Sequence, residues 1–387
     1  MTTVYLDHAA TTPLRHEARE AWIAASALVG NASSIHGAGQ SARRLLEESR
    51  ERVAAVVDCD PIEVVFTSGG TEAINLAVKG LWWARGAGRN EIVLPDGEHH
   101  ATLDVVEWLA SQGAGVRPVA LDPLGRIPIA SFRAAVEGAA AATALVANNE
   151  TGTVNDAPGL ARASSEAGVP LHLDAVSAFG HLPMSFRSWR ADAAPATGLV
   201  ALSVSAHKVG GPVGVGALVA ARTAALVPVV HGGGQQRRLR AGTQDVAGAA
   251  AFAVAAELAE VEREREAARL AALRDELVSG VLSTVPGAEL LGDPHDRLPG
   301  NAHVLFPGAA GETLLFLLDQ RGIAASTGSA CQAGVPEPSH VVLALGRSAT
   351  DAREVLRFTL GRTSTHSDVD ALLAALPPVV ERARAAR

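Results

Sequence analysis

Short apolar runs alternate with segments of helical period through the first two thirds of the chain. The run EIVLP precedes a helical segment from Ala101 to Ser111, and ATALVANN precedes the helical segment GLARASSEAG. The runs LHLDAV, VALSVSAHK and VGVGALVA follow. Strands that alternate with helices are typical of an α/β domain with a mostly parallel sheet. The pattern therefore predicts a layered α/β domain.

The last third of the chain has a different pattern. A long helix, apolar on one side and rich in Glu and Arg on the other, is predicted from about Ala247 to Gly280. The strands NAHVLF and VLRFTLG follow, separated by the helix GETLLFLLDQRG, and a final helix lies near Val369 to Arg387. We therefore predict a large domain over residues 15–258 and a smaller α+β domain formed by residues 1–14 and 259–387.

Polar residues follow several of the predicted strands. In open parallel sheets, ligands bind beyond the carboxyl ends of the strands. The residues at these positions are Thr67 to Thr71, His99, Asn148 to Glu150, Asp174 to Ser177, and Ser205 to Lys208. The sequence therefore predicts a binding site built from these segments.

Composition narrows the class of protein. The 387 residues include 48% hydrophobic positions, as in ordinary soluble proteins, and the net charge of −8 argues against a nucleic-acid-binding surface. No run approaches the roughly 18 apolar residues of a membrane span. The start, MTTVYLDHAATTPL, lacks the features of a signal peptide, and two distant cysteines do not form a disulfide framework. These features predict a cytoplasmic protein.

Lysine is nearly absent, and its two occurrences differ. Lys79 lies on a predicted helix, where a surface position is expected, whereas Lys208 ends a strand and precedes a Gly-Gly-Pro turn. Asp174 also follows an apolar strand directly, and either caps the next helix or pairs with a cationic group. The turn Ser68–Thr71 opens a helix and suits a phosphate, although glycines at such joints also serve steric needs.

These three features together match one cofactor. Pyridoxal 5′-phosphate needs a lysine for its Schiff base, an acid that keeps its pyridine nitrogen protonated, and an anchor for its phosphate. The spacing of residues does not determine which of the nearby side chains face the site. The sequence leaves open which of His99 and His100 faces the site, and whether Asn148 and Asn149 contact a ligand or shape their turn.

Two further residues lie near the C-terminus. Cys331 lies in the small-residue stretch ASTGSACQAGVPEPSH, which predicts an exposed loop suited to a nucleophilic thiol, whereas Cys59 near a helix end indicates core packing. Arg357, on the strand VLRFTLGR, suits either a bidentate contact with a carboxylate or a structural ion pair.

Taken together, these motifs resemble those of the cysteine desulfurases, in the class V branch of fold-type I pyridoxal-phosphate enzymes. The resemblance runs nearly end to end. The matching stretches are YLDHAATTPL, GNASSIHGAG, FTSGGTEAINLAVKG, EHHATLD, NNETG, LHLDAVSAFGHLP, SAHKVGGPVGVGAL, HGGGQQRRLRAGT, STGSACQAGVPEPSHVVLALG and LRFTLGR. The resemblance implies a fold-type I architecture, with a mostly parallel seven-stranded sheet and a smaller α+β domain.

The resemblance also implies roles for individual residues. Lys208 forms the Schiff base with the cofactor, and Cys331 is the nucleophile that takes sulfur from L-cysteine as a persulfide. Asp174 pairs with the ring nitrogen, His99 stacks on the ring and assists proton transfer, and Asn149 contacts the cofactor or substrate.

The remaining implied roles concern binding. The residues that bind the phosphate are Gly70, Thr71, Ser205 and His207. In a homodimer, Thr243 reaches the phosphate of the neighbouring subunit, while Asn31 and Arg357 hold the substrate carboxylate. The product is L-alanine, and the sulfur passes to an acceptor protein, as in iron–sulfur cluster biogenesis.

Some positions depart from the family pattern. Ser177 stands where a glutamine usually contacts the cofactor's phenolic oxygen, Ala206 replaces a glycine, and Gln235–Gln236 replaces His-Glu. Ser177 keeps open another class V activity, such as a cysteine or selenocysteine lyase. A non-catalytic subunit of a sulfur-transfer complex is the third alternative. The sequence leaves the acceptor undetermined among an iron–sulfur scaffold, a tRNA-thiolating enzyme, a DNA-modifying system and a natural-product pathway.

Overall fold

The computed structural model describes residues 4–328 and 337–386. The strands in these ranges are β1 (Val4–Tyr5), β2 (Val64–Thr67), β3 (Glu91–Pro95), β4 (Gly115–Val119), β5 (Ala141–Leu145), β6 (Pro170–Asp174), β7 (Gly198–Ser205), β8 (Gly216–Ala220), β9 (Glu289–Leu291), β10 (Asn301–Leu305), β11 (Ile323–Ala324) and β12 (Val355–Thr359). The helices are α1 (His16–Ser26), α2 (Gly37–Val57), α3 (Gly70–Trp83), α4 (His100–Ser111), α5 (Ile129–Val136), α6 (Ala157–Glu166), α7 (Phe186–Arg190), α8 (Val246–Thr284), α9 (Gly311–Asp319), α10 (His340–Ala344) and α11 (His366–Ala385).

A seven-stranded sheet forms the centre of the large α/β unit. Its strand order is β2-β8-β7-β6-β5-β3-β4, in which β8 runs antiparallel to both neighbours and the other pairs are parallel. Every residue of β5 and β7 is buried. A sheet covered by helices on both faces requires such continuous apolar runs. The predicted mostly parallel sheet is confirmed.

A smaller antiparallel sheet, in the order β12-β10-β9, follows the long helix α8. Phe306, Phe358, Leu314 and Leu372 belong to a second hydrophobic core around this sheet, separate from the core of the large sheet. The first strand, β1, pairs in parallel with β11 and thus joins this second unit. The predicted α+β part is confirmed. The domain boundaries at residues 15 and 258 stay a prediction.

Four strands were not predicted from the sequence, and all four lie at sheet edges. Strands β1 and β11 have two residues each and pair with each other. Strand β4 contains Arg117 and Pro118, and its first four residues alternate between half-buried and exposed, while Val119 is buried. The short strand β9 lies at the end of the antiparallel sheet. Edge strands bury only part of their surface and need no continuous apolar run. No helix of the described residues combines the length and apolar character needed to cross a membrane.

Candidate active site

Strands β6 and β7 place the predicted acid and amine at one edge of the large sheet. The two strands are parallel neighbours, with Asp174 opposite Ser203. Asp174 is the last residue of β6, and β7 ends at Ser205, directly before a tight 3₁₀ turn at Ala206–Lys208. Because the carboxyl ends of parallel strands meet at the same edge, Asp174 and Lys208 converge on one cavity.

This cavity has a volume of about 360 Å³. Ten of the thirteen predicted site residues line it. They are Gly70, Thr71, His99, Asn149, Asp174, Ser177, Ser205, His207, Lys208 and Arg357. The structure brings these residues together, and their individual roles remain predictions.

The amine of Lys208 contacts the N-terminal segment of the chain. Its Nζ donates to the carbonyl oxygens of Ala9 and Ala10, the latter at 3.1 Å. Burial lowers the pKa of Lys208 to about 8, and the positive charge of Arg357 adds to this effect, while Asp7 and Asp174 oppose it. A larger fraction of this amine is therefore neutral near pH 8 than of an ordinary lysine.

Asp174 is 2% exposed, and its Oδ1 accepts a hydrogen bond from the backbone N of Val176 at 2.9 Å. Burial raises the pKa of Asp174 to about 6, against the opposing effects of that hydrogen bond and of Lys208. A buried carboxylate gains most from a cationic partner placed in the cavity. The protonated ring nitrogen of a pyridine is such a partner.

Both histidines of the EHH stretch line the cavity. His99 is the N-cap of α4, and its Nδ1 accepts from the backbone N of Ala101 at 3.0 Å. The ring is accessible from the cavity, but loss of surrounding water, followed by the charge of Lys208, lowers its pKa to about 4. His99 is therefore neutral at pH 7, and because Nδ1 accepts from Ala101, the ring proton lies on Nε2. His100 makes an edge-to-face contact with His340, with ring centroids 4.9 Å apart.

One end of the cavity is formed by the start of α3. A side chain at Gly70, the first residue of that helix, would place its Cβ 2.6 Å from Val176 Cγ2, so only glycine fits there. Thr71 and the buried Ser205 line the same cavity. The N-terminus of a helix beside small hydroxyl residues is suited to binding a phosphate.

Arg357 and Asn149 form another wall. Arg357 Nη2 pairs with Asp7 Oδ1 at 3.0 Å, and Nη1 donates to the backbone oxygen of Asn149 at 2.8 Å. Two buried atoms, Arg357 Nε and Asn149 Oδ1, have no hydrogen-bond partner among the described residues. The structure also separates the two asparagines, because Asn148 uses its Oδ1 to accept from the backbone N of Glu150 and of Thr151. Asn148 thus shapes the turn.

Three predicted residues are not part of the described cavity wall. Asn31 and Thr243 are exposed and do not line it. The Oδ1 atom of Asn31 accepts from the backbone N of Ser33 at 2.9 Å. Cys331 lies outside the described residues. Their proposed roles thus rest on the resemblance of their motifs.

Some wall residues were not singled out from the sequence. Ala9 and Ala10 come from the N-terminal segment, and His340 comes from α10 of the smaller unit. Asp7 contributes through its ion pair with Arg357. The stretch YLDHAATTPL, which contains Asp7, Ala9 and Ala10, resembles the family and so indicated that this segment is important. No residue type in it indicated a contact with Lys208.

The half-buried Lys208 amine, the buried Asp174 carboxylate and the start of α3 meet at one cavity, and this arrangement suits pyridoxal phosphate. The chain belongs to the aminotransferase class-V family, whose model matches residues 4–372 and whose members depend on pyridoxal phosphate. Within this family it belongs to the cysteine desulfurases. It is 48% identical over 392 residues to the IscS-like cysteine desulfurase of Mycobacterium tuberculosis, covering 99% of this chain and 97% of that protein.

Solved structures agree with this family assignment. A NifS-like protein superposes with a TM-score of 0.90 at 31% identity, covering 98% of this chain and 100% of that one. A structure described as SspA in complex with cysteine superposes with a TM-score of 0.79 at 28% identity, covering 93% and 99% of the two chains.

Proposed function

We propose that this cysteine desulfurase converts L-cysteine to L-alanine and retains the sulfur as a persulfide on Cys331 for an acceptor protein. The observation that carries the proposal is the convergence of the Lys208 amine and the buried Asp174 carboxylate on one cavity. The cysteine in the related SspA structure is consistent with this choice of substrate.

The residues present fit pyridoxal phosphate. Gly70 lets the start of α3 form the cavity wall, where a Cβ would clash with Val176, and Asn149 Oδ1 is a buried atom without a partner among the described residues. Lys208 would hold the cofactor covalently, and Asp174 would pair with its ring nitrogen. Gly70, Thr71, Ser205 and His207 would hold its phosphate, with Thr243 of a partner subunit. When bound, pyridoxal phosphate supplies an electron sink for the electrons released at the α-carbon of the amino acid.

Substrate binding is assigned to Arg357. Its buried Nε offers an additional hydrogen-bond donor, and the Asp7 ion pair orients the guanidinium. A guanidinium binds the planar carboxylate of an amino acid in a bidentate geometry. Asn31 is proposed to assist from the surface. Once displaced from the cofactor, Lys208 removes the α-proton as a neutral amine. The neutral His99 ring, whose proton lies on Nε2, would stack on the cofactor and assist proton transfer beside it.

The sulfur transfer balances without an external oxidant. The thiol of Cys331 attacks the substrate sulfur, an S–S bond forms, and the C–S bond of the substrate breaks. The β-carbon is reduced and gains a proton, which completes the methyl group of alanine. The two sulfur atoms are oxidised to the level of a persulfide. One L-cysteine thus yields one alanine and one Cys331 persulfide.

The stoichiometry tests this function directly. Purified protein is mixed with L-cysteine in the absence of an acceptor, and alanine and protein-bound sulfur are measured in the first turnover. The proposal predicts one alanine and one persulfide for each active site. Free sulfide with pyruvate and ammonia, and neither alanine nor protein-bound sulfur, would instead identify a lyase, which is the alternative that Ser177 keeps open.

The lowered pKa of Lys208 predicts how cofactor attachment depends on pH. The neutral amine is the form that attacks the cofactor, so the rate of attachment to apoprotein is expected to rise through about pH 8 and not through the ordinary value of 10.5. The negative charge of Asp7 stabilises the ammonium form. Asp7→Asn is therefore expected to shift the midpoint to lower pH. The absorbance of lysine-bound cofactor reports the rate. A midpoint near 10.5 would contradict the prediction, and Lys79→Ala serves as the control.

Asp174→Asn is expected to reduce turnover by about a hundredfold, because a neutral amide does not hold a proton on the ring nitrogen. Attachment of the cofactor to Lys208 should persist. The matched control is Glu98→Gln. Glu98 is a second buried carboxyl close to Asp174, and burial raises its pKa to about 8, so it is already uncharged at neutral pH. Equal losses in the two variants, measured as alanine formed per minute, would refute the assignment of Asp174.

A further inference from the structure

Glu150 is a buried acid that the proposed mechanism does not use. It follows Asn149 in the turn after β5, and it is 1% exposed. Its backbone N donates to Asn148 Oδ1 at 2.9 Å, so the turn itself fixes its position. Such a position requires specific partners, because an uncompensated carboxylate is costly to bury.

One partner of this acid is Ser339. Its Oγ donates a hydrogen bond to Glu150 Oε2 at 2.5 Å, and the same hydroxyl accepts from the backbone N of Val342 at 3.1 Å, which caps α10. Ser339 is fully buried, and its own N donates to the carbonyl of Ala352 at 3.0 Å. Glu150 is therefore bonded to a rigid point of the smaller unit.

The second partner is Gly328. A Cβ built on Gly328 would lie 3.2 Å from Glu150 Oε2 and 3.4 Å from Glu150 Cγ, so this glycine lies beside the carboxylate and a side chain there would crowd it. Its φ of +91° favours glycine at this position. Its N donates to Ser326 Oγ at 3.0 Å, and Ser326 pairs through its backbone with Arg357. Gly328, the neighbour of this acid, is thus tied to the cavity wall.

Gly328 and Ser339 lie on either side of Cys331 in the chain. We propose that Glu150 is a positioning residue for sulfur transfer, which holds together the two ends of the segment that carries Cys331. This inference rests on the proposed function. The turn that carries Glu150 also carries Asn149, which lines the cavity. The contacts of Glu150 therefore hold the segment that carries Cys331 in a fixed position relative to the substrate site. A reacting group misplaced by about 1 Å loses up to about a hundredfold in rate.

The test separates sulfur transfer from the earlier step at the α-carbon. In holoenzyme, we expect Glu150→Ala to slow formation of the Cys331 persulfide in a single turnover by about a hundredfold. Exchange of the substrate α-proton with deuterated solvent should stay near the wild-type rate, because Lys208 is untouched. Glu150→Gln keeps the shape and one acceptor oxygen for Ser339 and should restore most of the rate.

Variants of Ser339, the hydrogen-bond partner of Glu150, give a second test. Ser339→Ala should slow persulfide formation selectively, and the double variant Glu150→Ala/Ser339→Ala should be no slower than Glu150→Ala alone, because both changes break one contact. Ser348→Ala is the matched control. It removes a similar hydroxyl contact, to Asp351 at 2.8 Å, from the same unit, and should leave both rates unchanged.

Hydrogen exchange gives a readout that is independent of turnover. Without substrate, backbone amides in a peptide spanning residues 326–340 should exchange faster in Glu150→Ala and in Ser339→Ala than in wild type, and Ser348→Ala should not change them. Should Glu150→Ala fail to fold, Ser339→Ala and Glu150→Gln carry the test.

Three results would overturn the inference. These are equal slowing of α-proton exchange and persulfide formation, additive losses in the double variant, and unchanged amide exchange. A wild-type protein that forms no persulfide from L-cysteine would instead refute the proposed function. The two failures are thus distinguishable.

Discussion

Lys208→Ala is expected to abolish covalent attachment of the cofactor and to lower alanine formation by at least about a thousandfold. The change removes the amine that holds the cofactor and the base that takes the α-proton, and a positioned base alone contributes about 10²–10⁴ in rate. The remaining cavity keeps Asp174 and the phosphate cradle, so the cofactor should still bind without a covalent bond. Its absorbance should then be that of the free aldehyde.

The chain itself offers a precise control for this result. It contains only two lysines, and Lys79 lies on α3, where its Nζ is 4.5 Å from the centre of the Trp108 ring. Borohydride makes a lysine–cofactor bond permanent, so digestion and mass spectrometry locate it. The adduct should occur on the peptide that contains Lys208, and Lys79→Ala should change neither the adduct nor the activity. An adduct on Lys79 or on the terminal amine would refute the assignment.

The parts of the site that lie at strand ends could be predicted from the sequence. Asp174 and Lys208 each follow an apolar run, and the ends of parallel strands necessarily meet at one edge of the sheet. The apolar runs of β5, β6 and β7 are long enough to identify, because both faces of the sheet are covered. These local signals were sufficient to predict the fold class and the position of the cavity.

Contacts between distant segments could not be predicted in the same way. The carbonyls of Ala9 and Ala10 meet Lys208 across almost 200 positions of sequence, and Asp7 pairs with Arg357 across 350. Both contacts depend on β1 joining β11 at the edge of the smaller unit. No periodicity within a window of the chain records such a pairing.

The sequence could not distinguish the roles of adjacent residues of the same type, and the reason is physical. Asn148 and Asn149 have the same chemistry, and only the hydrogen bonds of the turn decide that Asn148 Oδ1 accepts from two backbone N–H groups while Asn149 Oδ1 stays unpaired among the described residues. His99 and His100 were ambiguous for a similar reason, and both line the cavity. Side-chain direction at the end of a strand is determined by the turn, which residue type alone does not specify.

Burial shifts the pKa values of the two charged groups of the site in opposite directions. Burial pushes the pKa of Lys208 down to about 8 and the pKa of Asp174 up to about 6, so each group approaches its neutral form. A positively charged ring nitrogen near Asp174 would favour its ionised form, while the amine stays available as a base. Burial thus prepares both residues for the chemistry that we propose.

Cys331→Ser is expected to eliminate protein-bound sulfur and to lower alanine formation from L-cysteine by at least about a hundredfold, because a serine hydroxyl is not ionised at neutral pH and is a poor nucleophile toward sulfur. Cofactor attachment and exchange of the substrate α-proton should persist, because these steps depend on Lys208. The measurement is alkylation of the protein after one turnover, followed by mass spectrometry of the peptide that carries the additional sulfur atom.

Cys59→Ala is the matched control, since the chain has just two cysteines. Cys59 is 7% exposed, and burial, with the nearby charges of Glu63 and Asp60, raises the pKa of its thiol to about 12. Almost none of it is ionised at neutral pH, and it should acquire no sulfur. The Cys59→Ala protein should therefore form persulfide at the wild-type rate. Persulfide on Cys59, or undiminished alanine formation by Cys331→Ser, would show that the sulfur leaves the substrate by another route.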